Sequence, residues 1–470
     1  MARPSKKSKA QADNLIRIAY RYLAYPTNLQ VYRMENWMDS LCRLGNETIA
    51  ERKDAYHATG KGLTYTDQQN ALPDKKKADP ALRMVHSQLC QDCLHRVDKA
   101  YQKFFDDVKK KKSGQKVVIG YPRFKRVEKY KSFTFPQVWM EVKDKKTGGT
   151  HRSDIVKFKP ISPLKKTGRI KLAHITLPGI GALKVRLHRD LDWNNAKTVT
   201  VKRTPSGDWY VSVSVEMPLK ASLADNGKKT GADVGLKKHV ATSDGSYGEY
   251  PKFLRQSEDK LKKHQRSLSK KKKGSANYHK QKKVLARTHE HIAHQREDFL
   301  HKLSLWLVIT YAYIAFEKLK IPHMVKNSHL AKAILDAGWG TLIRFVTYKS
   351  VMLRGNGIVR VNPAYTTQDC SGCGYRVPKT LAERVHKCPR CGLKLCRDTN
   401  AGRTIEQLAF GKEPAYAEGS KTVGTVCPEL VPHQADKTPV ETGASAAPAV
   451  AVSPVVEARK PRLKSHLSRG

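Results

Sequence analysis

The sequence lacks an apolar run long enough to cross a membrane. Its longest, Leu303 to Phe316, is 14 residues and carries Ser304 and Thr310, whereas a spanning helix needs roughly 20. No secretory signal is visible either, since the opening MARPSKKSKAQADN is polar and has no apolar segment. These absences predict a chain with no membrane partner. Acidic residues are scarce: 42 Asp and Glu stand against 89 Lys and Arg, a net charge of +47. A chain this positive repels itself unless a polyanion neutralises it. The basic residues run through the whole length and are not gathered in one helix or tail, which points to nucleic acid and away from a membrane surface.

The 470 residues suffice for two to four domains, and 39% hydrophobic content can bury a sizeable core. Residues 1–14 read as a disordered basic leader. LIRIAYRYLAY, residues 15–25, alternates apolar and polar as a strand does, and Pro26 ends it. From Gln30 to about Lys112 the pattern is helical, with Leu82, Val85, Leu89, Cys93 and Val97 at the spacings of one helix face. Residues 115–222 turn strand-like, with VKFKPI, RIKLAHITL, ALKVRLH, TVTVKR and YVSVSVEM at hairpin spacing. That run predicts a barrel or sandwich module.

From Thr230 the pattern changes. GADVGLKKHVATSDG predicts a strand, a turn at Ser243–Gly245 and a second strand. Residues 252–311 are helical and very basic, including Lys270–Lys273, with Leu285, Ile292, Phe299 and Leu303 as an apolar seam. AYIAFE, residues 312–317, is a short buried-type strand. Ser328 to Leu353 is helical again, IVRVNP returns to strand, and a last helix runs to about Phe410. The tail from 418 is rich in Ala, Pro, Val and Ser without period, the composition of disorder.

Nine cysteines include two close pairs near the C-terminal end, which suggests metal binding in a reducing compartment. Cys370-Ser-Gly-Cys373 and Cys388-Pro-Arg-Cys391 each end in a glycine, Gly374 and Gly392. The glycines permit a tight turn that brings backbone amides to the thiolate sulfurs. Four thiolates make the closed tetrahedral shell of structural zinc; the competing interpretation is two redox pairs or free thiols. Cys396 breaks the knuckle spacing and reads as a small core residue. Cys90 and Cys93 also spell C-x-x-C, but inside a helical pattern with no second pair nearby, so core packing is expected of them. His386 could replace a cysteine ligand, although four cysteines already suffice.

Three acids stand where chain elements begin or end. Asp233 lies at the end of the strand in GADVG, Glu317 closes AYIAFE, and Asp398 opens the last helix, whose buried stripe is Ala401, Ile405, Leu408 and Ala409. Singly they say little: an acid at a strand end is usually solvated, and Asp398 could simply cap its helix. Jointly they match a chemical need. Phosphodiester hydrolysis uses two divalent cations, one activating water and one stabilising the leaving oxygen, and Mg²⁺ takes hard oxygen ligands.

The residues then resemble a known family. Tyr20-Arg-Tyr-Leu-Ala-Tyr-Pro-Thr27, GYPRFK at 120–125, SFTFPQ at 132–137, GADVGLKK around Asp233, QREDFLHKLS, AFEKLK with Glu317, DAGWG at Asp336–Gly340, PAYTTQDCSGCG and RDTNA occur in this order. In these motifs the chain resembles TnpB, the nuclease of small insertion sequences, and through it the compact type V CRISPR effectors. The resemblance extends from Ile18 to Leu408. It departs at Cys396, where the family usually has the first Asp of D-R-D, and beyond about residue 418, where nothing aligns.

The resemblance implies a multidomain α+β protein. A β-barrel wedge domain would occupy 15–29 and 115–222, with a helical recognition domain at 30–114. A split RuvC-like nuclease domain of RNase H-like fold would follow at 226–365 and 394–417. A zinc-ribbon insert that binds target nucleic acid would interrupt it at 366–393, and a disordered tail would run from 418 to 470. It further implies Asp233, Glu317 and Asp398 as catalytic ligands of two magnesium ions, and Cys370, Cys373, Cys388 and Cys391 around one structural zinc. Arg384 matches a family arginine that approaches the scissile phosphate. Guide RNA and target double-stranded DNA are the implied partners of a monomeric protein acting in the prokaryotic cytoplasm, on the nucleoid. The expected activity is RNA-guided DNA cleavage beside a short adjacent motif. A compact CRISPR effector, a cleavage-deficient guided repressor and a DNA-joining transposase are the alternatives, and the presence of all three acids argues against the repressor.

Overall fold

The computed structural model describes residues 15–143, 149–161, 171–219, 221–380 and 382–411. The expected leader at 1–14 and tail at 418–470 lie outside the described residues, as does the end of the segment 394–417. The chain divides into two units, with the boundary between Pro218 and Leu219. Among the described residues no helix is long and apolar enough to cross a membrane.

The first unit is built on the strand Leu15–Tyr25. It pairs antiparallel with Trp209–Pro218 on one side and Gly181–Leu187 on the other. These are the middle strands of a seven-stranded sheet, which runs out to Ser132–Phe135 at one edge and Lys157–Ile161 at the other. Alternation does what it predicts: Trp209, Val211, Val213 and Val215 are buried and the residues between them half-buried. The expected barrel or sandwich is a seven-stranded antiparallel sheet beside a separate hairpin of Trp139–Lys143 and Thr150–Asp154, and among the described residues the two edge strands of the larger sheet are not paired with each other. Closure depends on pairing between distant segments, which alternation does not encode.

Pro26 ends the first strand, and Thr27 starts the helix Asn28–Thr59. The Gln30 amide donates to Thr27 Oγ1 at 3.3 Å and the Thr27 amide to Gln30 Oε1 at 3.0 Å, a reciprocal cap. The helical stretch expected over 30–112 is five helices, of which the last is Ser87–Lys112. Leu82, Val85, Leu89, Cys93 and Val97 are all buried. They do not share one helix, because the chain breaks between Arg83 and Ser87. Met34, Trp37, Leu41, Leu89 and Leu94 enter the same core as the sheet residues Phe133, Val211 and Val213. Cys90 and Cys93 are buried there as well.

The second unit holds a five-stranded mixed sheet in the order Tyr247–Glu249, Lys238–Thr242, Lys229–Val234, Tyr313–Glu317, Val359–Val361. The first three strands pair antiparallel, the last three parallel. The single strand expected before Ser243 is a tight hairpin, because the chain reverses at Gly235–Lys237. The helical stretch 328–353 likewise breaks after Ala337. One face of the sheet packs Ala232, Val240, Ile314 and Phe316 against the long helix Ala276–Thr310 and the helix Trp339–Arg354. On the other face, Ala315 and Val361 meet Ile405 of the last helix, Arg397–Phe410. Leu408, expected in the stripe of that helix, is instead exposed, while Ala401 and Ile405 are fully buried.

The last helix touches the sheet backbone to backbone. A Cβ on Gly231 would lie 2.1 Å from the Gly402 carbonyl oxygen and 2.4 Å from the Glu406 amide nitrogen. Only glycine at 231 lets helix and strand approach this closely. Gly231→Ala should therefore force the helix off the strand and cost about 3 kcal/mol or more, the upper range of overpacking. Thermal melts of the purified protein check this. The transition should fall several degrees for Gly231→Ala and stay put for Gly357→Ala, whose added carbon would meet open space. An unshifted melt for Gly231→Ala would mean the helix does not lie on this strand.

Candidate functional site

Period-two alternation decides which way the acids face. Gly231 and Asp233 are two apart on one strand, and Ala315 and Glu317 are two apart on its parallel neighbour. Gly231 pairs with Ala315 in register. All four therefore share the sheet face that the last helix covers. Asp233 and Glu317 stand at the carboxyl ends of adjacent parallel strands, where open α/β sheets place their sites. Asp398 sits in the first turn of the helix, one turn before Gly402. It is not the cap: that position is Cys396, whose side chain makes no capping bond.

The three acids form one electrostatic group. Burial, then the charges of Glu317 and Asp398, push the Asp233 carboxyl well above the usual carboxylate range; Arg397 and the Val234 amide only partly oppose this. Burial also raises Glu317, against a hydrogen bond from the Thr366 hydroxyl. A carboxyl whose folded-state pKa is raised holds its proton more tightly than in the unfolded chain. Its crowding therefore lowers stability as pH rises above about 4. Bound divalent cations would relieve that repulsion. The donors are hard carboxyl oxygens, the ligand type that Mg²⁺ takes.

The structure also places residues whose role the sequence did not reveal. The Arg397 guanidinium donates to the Glu383 carbonyl at 3.1 Å and reaches Asp398 Oδ1 at 3.4 Å. Its position between a cysteine and an acid at a helix start was the available signal. Thr366, four residues before the first knuckle, gave no signal of its own. Arg384 has an exposed side chain, and its carbonyl accepts from the Arg397 amide at 2.8 Å, which ties it to the foot of the Asp398 helix. Cys396 is half-exposed, with Lys238 Nζ 3.6 Å from its sulfur. Cys396 is thus not the small core residue expected, because it stands half-exposed where the strand Lys394–Cys396 turns into the last helix. His386 is fully buried against Lys379 and stands outside the cysteine group.

Cys370, Cys373, Cys388 and Cys391 present four sulfurs that all lie within 4.8 Å of one another. Among the described residues no other set of three or more His, Cys, Asp or Glu side chains meets that spacing, so the three acids are neighbours without being drawn so close. Two sulfur pairs stand at 3.6 and 3.5 Å, near the roughly 3.8 Å edge of a tetrahedron with 2.3 Å metal–sulfur bonds. Gly374 and Gly392 take φ of 76° and 72°. Their amides donate to the Cys370 and Cys388 carbonyls at 2.8 and 3.0 Å. The four thiols share their protons unevenly: burial pushes Cys370 up to about 12, whereas at Cys388 burial is outweighed by the Cys391 and Arg390 amides, with the Cys373 and Cys391 sulfurs, which bring it down to about 6.

Known proteins match the chain on both sides of this site. A family described as OrfB_IS605, probable transposase, matches residues 211–328, the segment with Asp233 and Glu317. The Cas12f1-like TNB domain matches 339–405, the segment with the knuckles and Asp398. A protein of Streptomyces pristinaespiralis named "Putative RNA-guided DNA endonuclease" is 30% identical over 84% of this chain and 90% of its own length. One of Escherichia coli K12, "Putative RNA-guided DNA endonuclease InsQ", is 27% identical over 84% of this chain and 92% of its own. A solved Cas12f1–sgRNA–target DNA complex covers 80% of this chain and 82% of that one at 14% identity and TM-score 0.47, a likeness too loose to decide anything.

The cysteine geometry generates a direct expectation. Protein purified without chelator should contain one zinc per chain by elemental analysis. Cys373→Ser or Cys388→Ser should bring it close to zero, because such small ribbons fold on their metal. Zinc-free wild-type protein would contradict this.

Proposed function

The chain belongs to the TnpB family of RNA-guided DNA endonucleases, and from that premise we propose that it binds a transposon-derived guide RNA and cuts DNA beside a short motif. The observation that carries the proposal is the convergence of Asp233 and Glu317 on the face that the Asp398 helix covers. Their mutual repulsion suits a site made to hold cations. The sheet order, with three antiparallel strands followed by two parallel ones, supports the RuvC-type, RNase H-like assignment. The three acids would hold two magnesium ions, which supply water activation and stabilisation of the leaving oxygen.

The chain's own residues do the rest. Strand register would hold Asp233 and Glu317, and the helix Asp398, on one face of the sheet, so that little reorganisation is needed to bind the cations. Arg384, exposed at the foot of that helix, would meet the scissile phosphate, and Arg397 would hold Asp398 in place. The four cysteines would hold one structural zinc, and the ribbon they fold would face target nucleic acid. The net charge of +47 fits a protein that coats a folded RNA and an RNA–DNA duplex through their backbones, with sequence read by base pairing. We further propose one protein chain per RNA, working in the prokaryotic cytoplasm.

Asp233→Ala, Glu317→Ala and Asp398→Ala should each lower the cleavage rate about a thousandfold or more, equivalent to roughly 4 kcal/mol of transition-state stabilisation. Affinity for guide and target should stay within about threefold, because phosphate contacts and pairing supply it. Cleavage time courses beside gel-shift titrations test this. Any variant that cuts at the wild-type rate removes its residue from the site.

A further inference from the structure

We propose that Thr366 is a positioning residue for Glu317, and that the loop leading into the first cysteine knuckle is the arm that holds it there. The inference rests on Glu317 being a metal ligand. Thr366 and Glu317 are both buried, at 2% and 9% exposure, so water cannot take over the role of either partner. The Thr366 hydroxyl has one hydrogen and two acceptors within reach, Glu317 Oε1 and the Pro363 carbonyl, the latter at 3.3 Å. The charge-assisted bond to the carboxylate is the stronger. It fixes one carboxylate oxygen and leaves the other directed by that constraint.

The arm is held in an unfavourable shape by bonds that lead back to the knuckle. Tyr365 has φ of 63°, a left-handed conformation that costs an aromatic residue about 1–3 kcal/mol. Its carbonyl accepts from the Gln368 and Asp369 amides, both at 2.8 Å. The Arg376 guanidinium lies 3.5 Å from the Tyr365 ring centroid and pairs with Asp369 at 2.8 Å. Asp369 immediately precedes Cys370. On its other side the same loop is docked on the Asp398 helix. Asn400 Nδ2 donates to the Asp369 carbonyl at 2.8 Å and Asn400 Oδ1 accepts from the Ser371 amide at 3.0 Å. Gln407 donates to the Ser371 carbonyl at 2.8 Å. The knuckle thus grips the helix of one acid and, through Thr366, the carboxylate of another.

Mn²⁺ serves as the probe, titrated into the purified full-length protein while the thermal midpoint is followed, with zinc content measured on each sample. Glu317→Ala should abolish the saturable rise. Thr366→Val keeps the shape and removes the hydroxyl; it should shift the half-saturating Mn²⁺ concentration upward about tenfold or more, the usual scale for residues that orient metal ligands, at unchanged zinc content. Thr366→Ser should stay within about threefold of wild type. Should the valine variant lose zinc, Thr366→Ser and Thr366→Ala form the deciding pair, since both lack the methyl group and only one keeps the hydroxyl. Equal Mn²⁺ affinity with and without the hydroxyl, in protein where Glu317→Ala abolishes the response, overturns the inference. A wild-type response that survives Glu317→Ala instead overturns the assignment of Glu317 as a ligand.

Discussion

The backbone contact between Gly231 and Gly402 is the constraint from which the rest of the second unit follows. A helix lying on a sheet is normally held off by side chains, at a distance that would part an acid on its first turn from acids on the strands. Here the separation collapses to the point where a single added carbon would lie 2.1 Å from a carbonyl oxygen. Asp398, one turn before the crossing, is thereby brought close enough to act on Asp233, two residues beyond it. Strand register completes the arrangement by setting Gly231 beside Ala315 and so turning Glu317 to the same face.

The cost of this arrangement is electrostatic. Three carboxylates share a partly buried space, and Arg397 offsets them incompletely. A chain selected for stability alone would not place them so. Such local conflicts are expected where function needs them, with compensation in the surroundings. The compensation is visible. Ile405 and Ala401 are fully buried under the helix. Asn400 and Gln407 bind it to the knuckle loop, and Trp339, buried in the DAGWG segment, donates from its indole to the Gly235 carbonyl at 3.3 Å. That last bond braces the hairpin directly after Asp233.

Much of this site is legible in the sequence because it depends on local signals. The strand ends at Asp233 and Glu317, the helix start at Asp398 and the glycine after each cysteine pair all follow from spacing within a few residues. Missed features depend on tertiary partners. The hairpin at Gly235–Lys237 hides in an unbroken β-like string, because its reversal is stabilised by pairing and by Trp339. The apolar periodicity from Leu82 to Val97 persists across a break in the chain, since burial against one core selects residues whether or not one helix carries them. Leu408 fits the helical period, but Ile405 and Ala409 mark the face turned to the sheet and Leu408 stands beside it, exposed. Thr366 and Arg397 matter only through what stands beside them, and nothing in their own neighbourhood of sequence announces that. The sheet of the first unit could be read as strands but not as open, for the same reason.

In a guided nuclease, pairing with the bound RNA, and not protein side chains, chooses where the chain cuts. The most direct measurement strips the protein of copurifying RNA and supplies two RNAs that differ only in their guide segment. Each is tested on one DNA carrying both matching sites beside the same flanking motif, and the cut positions are mapped. The expected result is no site-specific cleavage without RNA and a cut that moves from one site to the other with the guide. Cleavage by RNA-free protein at one fixed sequence, unmoved by either RNA, would contradict it.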